Sequence, residues 1–217
     1  YNVLYKFTGG ADGFEPSAAP IADSAGNLYG TARLGGDLTC DPTLRGCGTV
    51  YKLGPNGTFD VLKTFNGNDG SNPTGRLAVD KAGNLYGTTT AGGSSTNCSG
   101  GCGVIFRLMP NHDGTWSYSV LHTFDSQPAA APAGTLVFDK YGTLWGTSAG
   151  GVGGTVFKMA PKPDGSWGFR VVHKFTGSPS LVPTGDLAID QAGHVYGTTQ
   201  QCGSTDICEG VVFKITP

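Results

Sequence analysis

An all-β fold, a four-bladed β-propeller with four antiparallel strands per blade, is the architecture this sequence predicts. Three observations carry the expectation. One motif recurs four times, every copy reads as short β-rich runs parted by turn residues, and no segment shows capped helical periodicity. The motif is fullest as Asp80, Gly83, Asn84, Leu85, Tyr86, Gly87 and Thr88. It recurs as Asp23, Gly26, Asn27, Leu28, Tyr29, Gly30 and Thr31, then as Asp139, Gly142, Thr143, Leu144, Trp145, Gly146 and Thr147. The last copy is Asp190, Gly193, His194, Val195, Tyr196, Gly197 and Thr198. A proline (Pro16, Pro73, Pro132, Pro183) precedes each copy. A Gly-led apolar run carrying one cation follows it, with Lys52, Arg107, Lys158 or Lys214 in that run.

Each copy resolves into four strands, here A to D, which in the second copy are residues 76–80, 85–89, 104–108 and 118–124. The A–B turns and the C–D turns, such as Pro55-Asn56-Gly57 and His112-Asp113-Gly114, carry residues that tolerate the positive φ of tight hairpins. Repeats run over about residues 8–65, 66–124, 125–175 and 176–217 plus 1–7, within a single domain spanning 1–217. The phase of the repeat makes residues 2–7 an orphan D strand and residues 211–215 a final C strand. The expectation is therefore that the N-terminal strand completes the last blade and removes two exposed sheet edges. The same backbone hydrogen bonds are open to a neighbouring subunit.

These residues resemble the tandem GloVer repeats of bacterial surface and secreted proteins. That family has the pattern Val-Leu-x-x-Phe, Asp-Gly, Pro, Asp-x-x-Gly-Asn-Leu-Tyr-Gly-Thr-Thr and Gly-x-Val-Phe-Lys-Leu, and the likeness covers essentially the whole chain. The third copy departs most: it lacks the Asp-Gly step before Pro132 and has a shorter loop at residues 149–154. The resemblance implies an exported, often surface-attached protein and brings no established catalytic residues.

Six cysteines fall two per B–C loop, as Cys40 with Cys47, Cys98 with Cys102 and Cys202 with Cys208, and the short third loop has none. Local pairing follows from two cysteines per loop, each bridge contributing about 2–2.5 kcal/mol in the chain-entropy account. The rival reading, a metal site, has no His in these loops to support it. Disulfides place the chain in an oxidising, extracytoplasmic compartment, secreted or at the cell surface. The first residue, Tyr1, fits a processed mature chain.

Composition narrows the partners. Net charge is −2 and no stretch gathers Lys and Arg, so a nucleic-acid partner has no electrostatic footprint. No apolar run has the length of a transmembrane helix, and no motif calls for a cofactor or a metal. The repeated Asp residues occur once per copy at a turn, which reads as backbone hydrogen bonding rather than a carboxylate cluster. The repeated cations read as inter-strand or snorkelling side chains. Gly146-Thr147-Ser148-Ala149-Gly150 matches a nucleophile elbow in spelling, but it follows a strand with no helix after it. His112, His122, His173 and His194 assemble no site by spacing. Phe59, Trp116 and Trp167 each open a D strand, where a ring can stack on a sugar or anchor neighbouring blades. No catalytic residue is assigned. The functional expectation is a non-catalytic extracellular structural or binding module, extending to self-assembly into a polymer. A lectin-like binder of extracellular glycan is the alternative, and a polysaccharide lyase or hydrolase the second.

Overall fold

The computed structural model describes residues 1–40, 45–126, 129–132, 134–150, 153–176, 182–183, 185–200 and 210–216. Among them no helix occurs, and the strands form antiparallel sheets in the chain order the repeats predict. The first sheet is β1 (Ile21–Ala22), β2 (Leu28–Ala32), β3 (Thr49–Leu53) and β4 (Phe59–Thr64). The second holds β6 (Ala78–Val79), β7 (Leu85–Ala91), β8 (Val104–Pro110) and β9 (Trp116–Thr123), with β5 (Ser71–Pro73) paired to the far end of β7. The third is β10 (Val137–Phe138), β11 (Leu144–Ser148), β12 (Thr155–Pro161) and β13 (Trp167–Lys174). The last is β14 (Ala188–Ile189), β15 (Val195–Thr199) and β16 (Val211–Ile215). The A strands are two-residue ladders, shorter than the sequence implies, because the Asp-centred turn begins directly after them.

The core lies between sheets rather than within one. Val50 and Phe65 of the first repeat pack with Leu77, Leu85 and Phe106 of the second, and Ile105 and Phe124 pack with Leu136, Leu144 and Phe157. Val156 and Phe175 pack with Leu187 and Val195 in the same way. At each junction the Phe that ends a D strand stands edge-on or tilted to the C-strand ring of the next repeat. The centroid distances are 5.3 Å for Phe65–Phe106, 5.3 Å for Phe124–Phe157 and 5.1 Å for Phe175–Phe213. Such pairs add about 0.5–1.5 kcal/mol beyond their area. The ring reaches this position by lying over the motif glycine of its own sheet. A Cβ at Gly87 would stand 2.5 Å from the Phe106 ring, and one at Gly146 the same distance from Phe157. The Gly of Tyr-Gly-Thr is thus set by close approach, not by its φ.

The expected completion of the last blade is corrected here. Residues 2–7 pair with no strand, and the sheet β14-β15-β16 has three strands among the described residues. The segment docks instead on the first sheet: Tyr5 stacks on Phe59 at 3.8 Å and Phe7 stands edge-on to Tyr51 at 5.3 Å. Burying these rings anchors one face of the segment, and its hydrogen-bonding edge does not reach β16.

Gly87→Ala should destabilise the protein by about 1–3 kcal/mol through overpacking. Combining it with Phe106→Leu, which removes the ring atoms the new methyl strikes, should cost clearly less than the sum of the two single changes. Denaturant melts of the four proteins in this cycle measure the coupling; strict additivity would contradict the account.

Candidate functional site: the disulfide-pinned loop rim

The repeated Asp is the local organiser of each A–B turn. Asp80 accepts the Ala82 and Asn84 N–H groups through Oδ1 at 2.9 and 3.0 Å, and the Asn84 amide and Tyr86 hydroxyl through Oδ2 at 2.7 and 2.9 Å. Asp23 does the same with Ala25, Asn27 and Tyr29. Asp139 accepts Tyr141 N–H, Thr143 N–H and the Trp145 indole N–H, and Asp190 binds His194 and Tyr196. These donors outweigh desolvation and hold Asp23 and Asp80 below the usual carboxylate range; at Asp190 the His194 side chain is the chief cause of the same shift. Burial and the neighbouring carboxylate push Tyr29 and Tyr86 up to about 12. The carboxylates are structural acceptors whose capacity is used within the turn.

The other candidate groups are dispersed. His122 stacks flat on Phe169 at 3.8 Å, and burial pushes it down to about 4. His173 stands against Phe175, and His112 is exposed in its turn. Lys158 lies over the Trp145 ring at 5.2 Å and Lys214 over Tyr196 at 5.5 Å, each one strand across. Ser148 is fully buried with its hydroxyl 2.7 Å from that of Thr155, so it is not presented as a nucleophile. Among the described residues no three His, Cys, Asp or Glu side chains gather in a way that could hold a metal ion.

Strand register separates the three aromatic candidates. Leu53 faces Phe59, Leu108 faces Tyr118 and Met159 faces Phe169, so Phe59 is the counterpart of Tyr118 and Phe169 and not of the tryptophans. Trp116 and Trp167 sit two positions earlier, opposite Pro110 and Pro161. Both indoles are half-buried against the preceding repeat, Trp116 by Tyr29 at 5.9 Å and Trp167 by Tyr86 at 5.6 Å. Phe59 is covered by Tyr5.

The residues the structure does bring together are on the loop rim. Cys40–Cys47 and Cys98–Cys102 are disulfides with Cα separations of 5.9 and 5.2 Å; Cys202 and Cys208 lie outside the described residues. The B–C and D–A loops interlock, with Gly36 N–H on Gly10 C=O and Gly93 N–H on Gly67 C=O, both at 2.9 Å. Just before three of the repeated prolines the chain is left-handed at non-glycine residues: Glu15, Asn72 and Ala131 have φ of 57°, 56° and 48°. A residue preceding proline strongly favours extended backbone, and this conformation costs about 1–3 kcal/mol. The disulfide loops hold it in place. The Cys47 carbonyl accepts the Asn72 N–H at 3.0 Å, and the Cys102 carbonyl accepts the Ala131 N–H at 2.9 Å. Glu15 is held from the other side by the Arg33 N–H at 3.0 Å and an ion pair with its guanidinium at 3.2 Å. Asn72 is 7% exposed, and its side-chain oxygen is buried without a hydrogen-bond partner. The sequence signals the prolines but not these residues, since the repeats place Glu, Asn and Ala there with no common side chain.

Repeated antiparallel sheets packed face to face, with interlocking loops on one rim, define a propeller-like repeat protein. The repeat named Gloeobacter/Verrucomicrobia repeat matches residues 1–213, and the chain belongs to that family. No curated protein matches it. Among solved structures, a gluconolactonase from Xanthomonas campestris is 16% identical, with a TM-score of 0.54 over 88% of this chain and 60% of the other. A protein of unknown function from Dyadobacter fermentans is 12% identical, with a TM-score of 0.58 over 93% and 67%. A xylan β-1,4-xylosidase from Bacillus halodurans is 15% identical, with a TM-score of 0.51 over 94% and 42%. The chain thus spans about three fifths of the gluconolactonase's length. At these identities the likeness is one of fold.

Acid should unfold the protein in two stages. His122 is held neutral, so its contribution is complete above the ordinary histidine range and is lost as pH falls from about 6.5 toward 4. The depressed Asp23 and Asp80 contribute above the ordinary carboxylate range and lose that contribution as pH falls below about 4. His122→Phe should remove the first stage and leave the second, as read from denaturation midpoints across pH. An unchanged profile in the variant would contradict the assignment.

Proposed function

We propose that this chain is an extracellular, non-catalytic binding and structural module, one propeller-type domain over residues 1–217, which presents its loop rim to a partner. The observation that carries the reading is the coupling of each described disulfide loop to the left-handed residue of the next repeat, Cys47 to Asn72 and Cys102 to Ala131. Stability is spent there on fixing loop backbone, while the strands beneath repeat from copy to copy. Loops that differ on a rigid scaffold are where recognition is placed. Disulfides belong to an oxidising compartment, and the third pair of this reading is Cys202 with Cys208. Self-assembly is part of the proposed role.

A lectin-like role is the second reading, and the half-exposed indoles of Trp116 and Trp167 favour it, because a sugar face stacks on such a ring. An extracellular glycan is then the partner class, with Phe59 a weaker contributor because Tyr5 covers it.

A glycan array with turnover assays on every hit tests both readings. Replacing the disulfide loop at residues 92–103 with the short loop at 149–154 should lower affinity for any hit at least about tenfold, or 1.4 kcal/mol, while the strands still melt cooperatively. Trp116→Ala and Trp167→Ala should do so only for the lectin reading. Binding untouched by the loop exchange would overturn the rim assignment, and turnover would overturn the non-catalytic one.

A further inference from the structure

Two of the D–A turns close back onto the chain that precedes them. Asp12 and Asp69 each stand four residues ahead of a repeated proline. Asp12 accepts the Tyr5 hydroxyl at 2.9 Å, and Asp69 pairs with the Lys63 ammonium. At the junction of the first two sheets the closure is complete, because Lys63 also lies over the Tyr118 ring and the Tyr118 hydroxyl donates to the Asp69 carbonyl. The copy without the Asp-Gly step has Pro128 at the place of Asp12 and Asp69. Strand register puts His122 where Lys63 stands and Phe169, which has no hydroxyl, where Tyr118 stands. An internal ion pair and its hydrogen bond are thereby lost at the second junction, and a crevice is open there.

The crevice measures about 260 Å³ and has an apolar floor of Ala129, Phe169 and Val171. Thr123 and Asp125 line both it and a second, polar pocket of about 340 Å³, whose other wall is Ser94, Ser95, Thr96 and Asn97 beside the Cys98–Cys102 disulfide. Together the two reach the size of ordinary small-molecule sites. Two charged groups in the crevice have capacity to spare. Asp125 accepts the Asn97 amide, the Ser126 N–H and the Ser95 hydroxyl on Oδ1, and these donors hold it below the usual carboxylate range. Among the described residues nothing donates to its Oδ2. Arg170, exposed on β13, forms no ion pair among the described residues. Burial keeps His122 neutral near pH 7, so it adds no third charge.

We propose that this crevice binds a pyranose unit bearing a carboxylate, as in an acidic glycan, with the ligand's carboxylate on Arg170 and its hydroxyls on Asp125. The inference rests on the rim reading of the proposed function and names the partner of that rim. A cationic ligand would meet the guanidinium and a simple anion the carboxylate. An acidic sugar offers each its complement: a planar carboxylate to the guanidinium fork, and hydroxyl donors to the free Oδ2. Its less polar ring face suits the floor of Ala129 and Val171, and its remaining hydroxyls suit the Ser95 to Asn97 edge. The disulfide loop then has a defined part in binding, since Ser95 and Asn97 fix the carboxylate that reads the sugar.

Calorimetric titration of the whole chain with galacturonate and glucuronate oligomers, and with the same oligomers after reduction of their carboxylates to alcohols, tests this. At least one acidic oligomer should bind at least about tenfold more tightly than its reduced form. Arg170→Gln should abolish that preference, and Asp125→Asn should weaken the acidic and reduced forms alike. Both residues are exposed, so both variants should melt as the wild type does. Failure of every acidic oligomer to bind, equal binding of the reduced forms, or a preference that survives Arg170→Gln overturns the proposal. So does binding abolished by Trp116→Ala and untouched by Arg170→Gln, which would place the sugar at the indoles. A neutral glycan whose binding is lost on exchange of loop 92–103 overturns this inference and leaves the rim reading standing, whereas binding indifferent to that exchange overturns both.

Discussion

The structure depends on one recurring contact: a phenylalanine at the end of one repeat's outer strand, placed edge-on or tilted against the ring of the next repeat's third strand. Phe65 on Phe106, Phe124 on Phe157 and Phe175 on Phe213 are the same joint made three times, and Phe7 on Tyr51 makes it a fourth. No single sheet of two to eight-residue strands buries enough apolar surface to stand alone. Each is stable because its neighbour covers its face, which is the logic of repeat architectures. The motif glycines belong to this joint, since any side chain at Gly87 or Gly146 would push the ring out of it.

Around that joint the polar groups divide their labour. The Asp residues gather donors from their own turn and from the Tyr or Trp two residues past it, so the start of the B strand is tied down without help from the core. The described parts of the B–C loops carry a lesser anchor of this kind, as where Asp37 accepts the Thr39 N–H and hydroxyl, and gain from a stronger one. Disulfides supply it, and the second cysteine of each described pair passes the constraint on through its carbonyl to the strained residue of the following repeat. The loop rim is therefore cross-linked along the array, repeat to repeat, at the face farthest from the A–B turns. Rigidity of this kind suits the proposed binding role, because order present before contact does not subtract from affinity.

Much of this was legible in the residues. The repeat, the strand order, the turns, the turn-bound role of Asp23 and Asp80 and the local pairing of Cys40 with Cys47 and Cys98 with Cys102 all follow from patterns within a few dozen residues. The strain at Glu15, Asn72 and Ala131 was not legible, because it is imposed by carbonyls from a different repeat and leaves no common side chain behind. Nor was the division between Phe59 and the two tryptophans, which rests on a C–D hairpin four residues shorter, two on each strand, in the first copy.

The sequence by itself determined everything carried by local period: a side-chain alternation of two, turns with glycine at positive φ, and a motif that tells each segment which strand it is. Only the tertiary structure decided how the ends are arranged. Residues 2–7 carry the pattern of a fourth strand and β16 the pattern of its partner, so pattern alone joins them. Whether two such strands meet within one chain depends on the angle between successive sheets. That angle is set by glycine backbones in contact at Gly75, Gly134 and Gly185 and by rings wedged between sheets. It is a property of packed surfaces, accumulated over the array, and no window of sequence contains it.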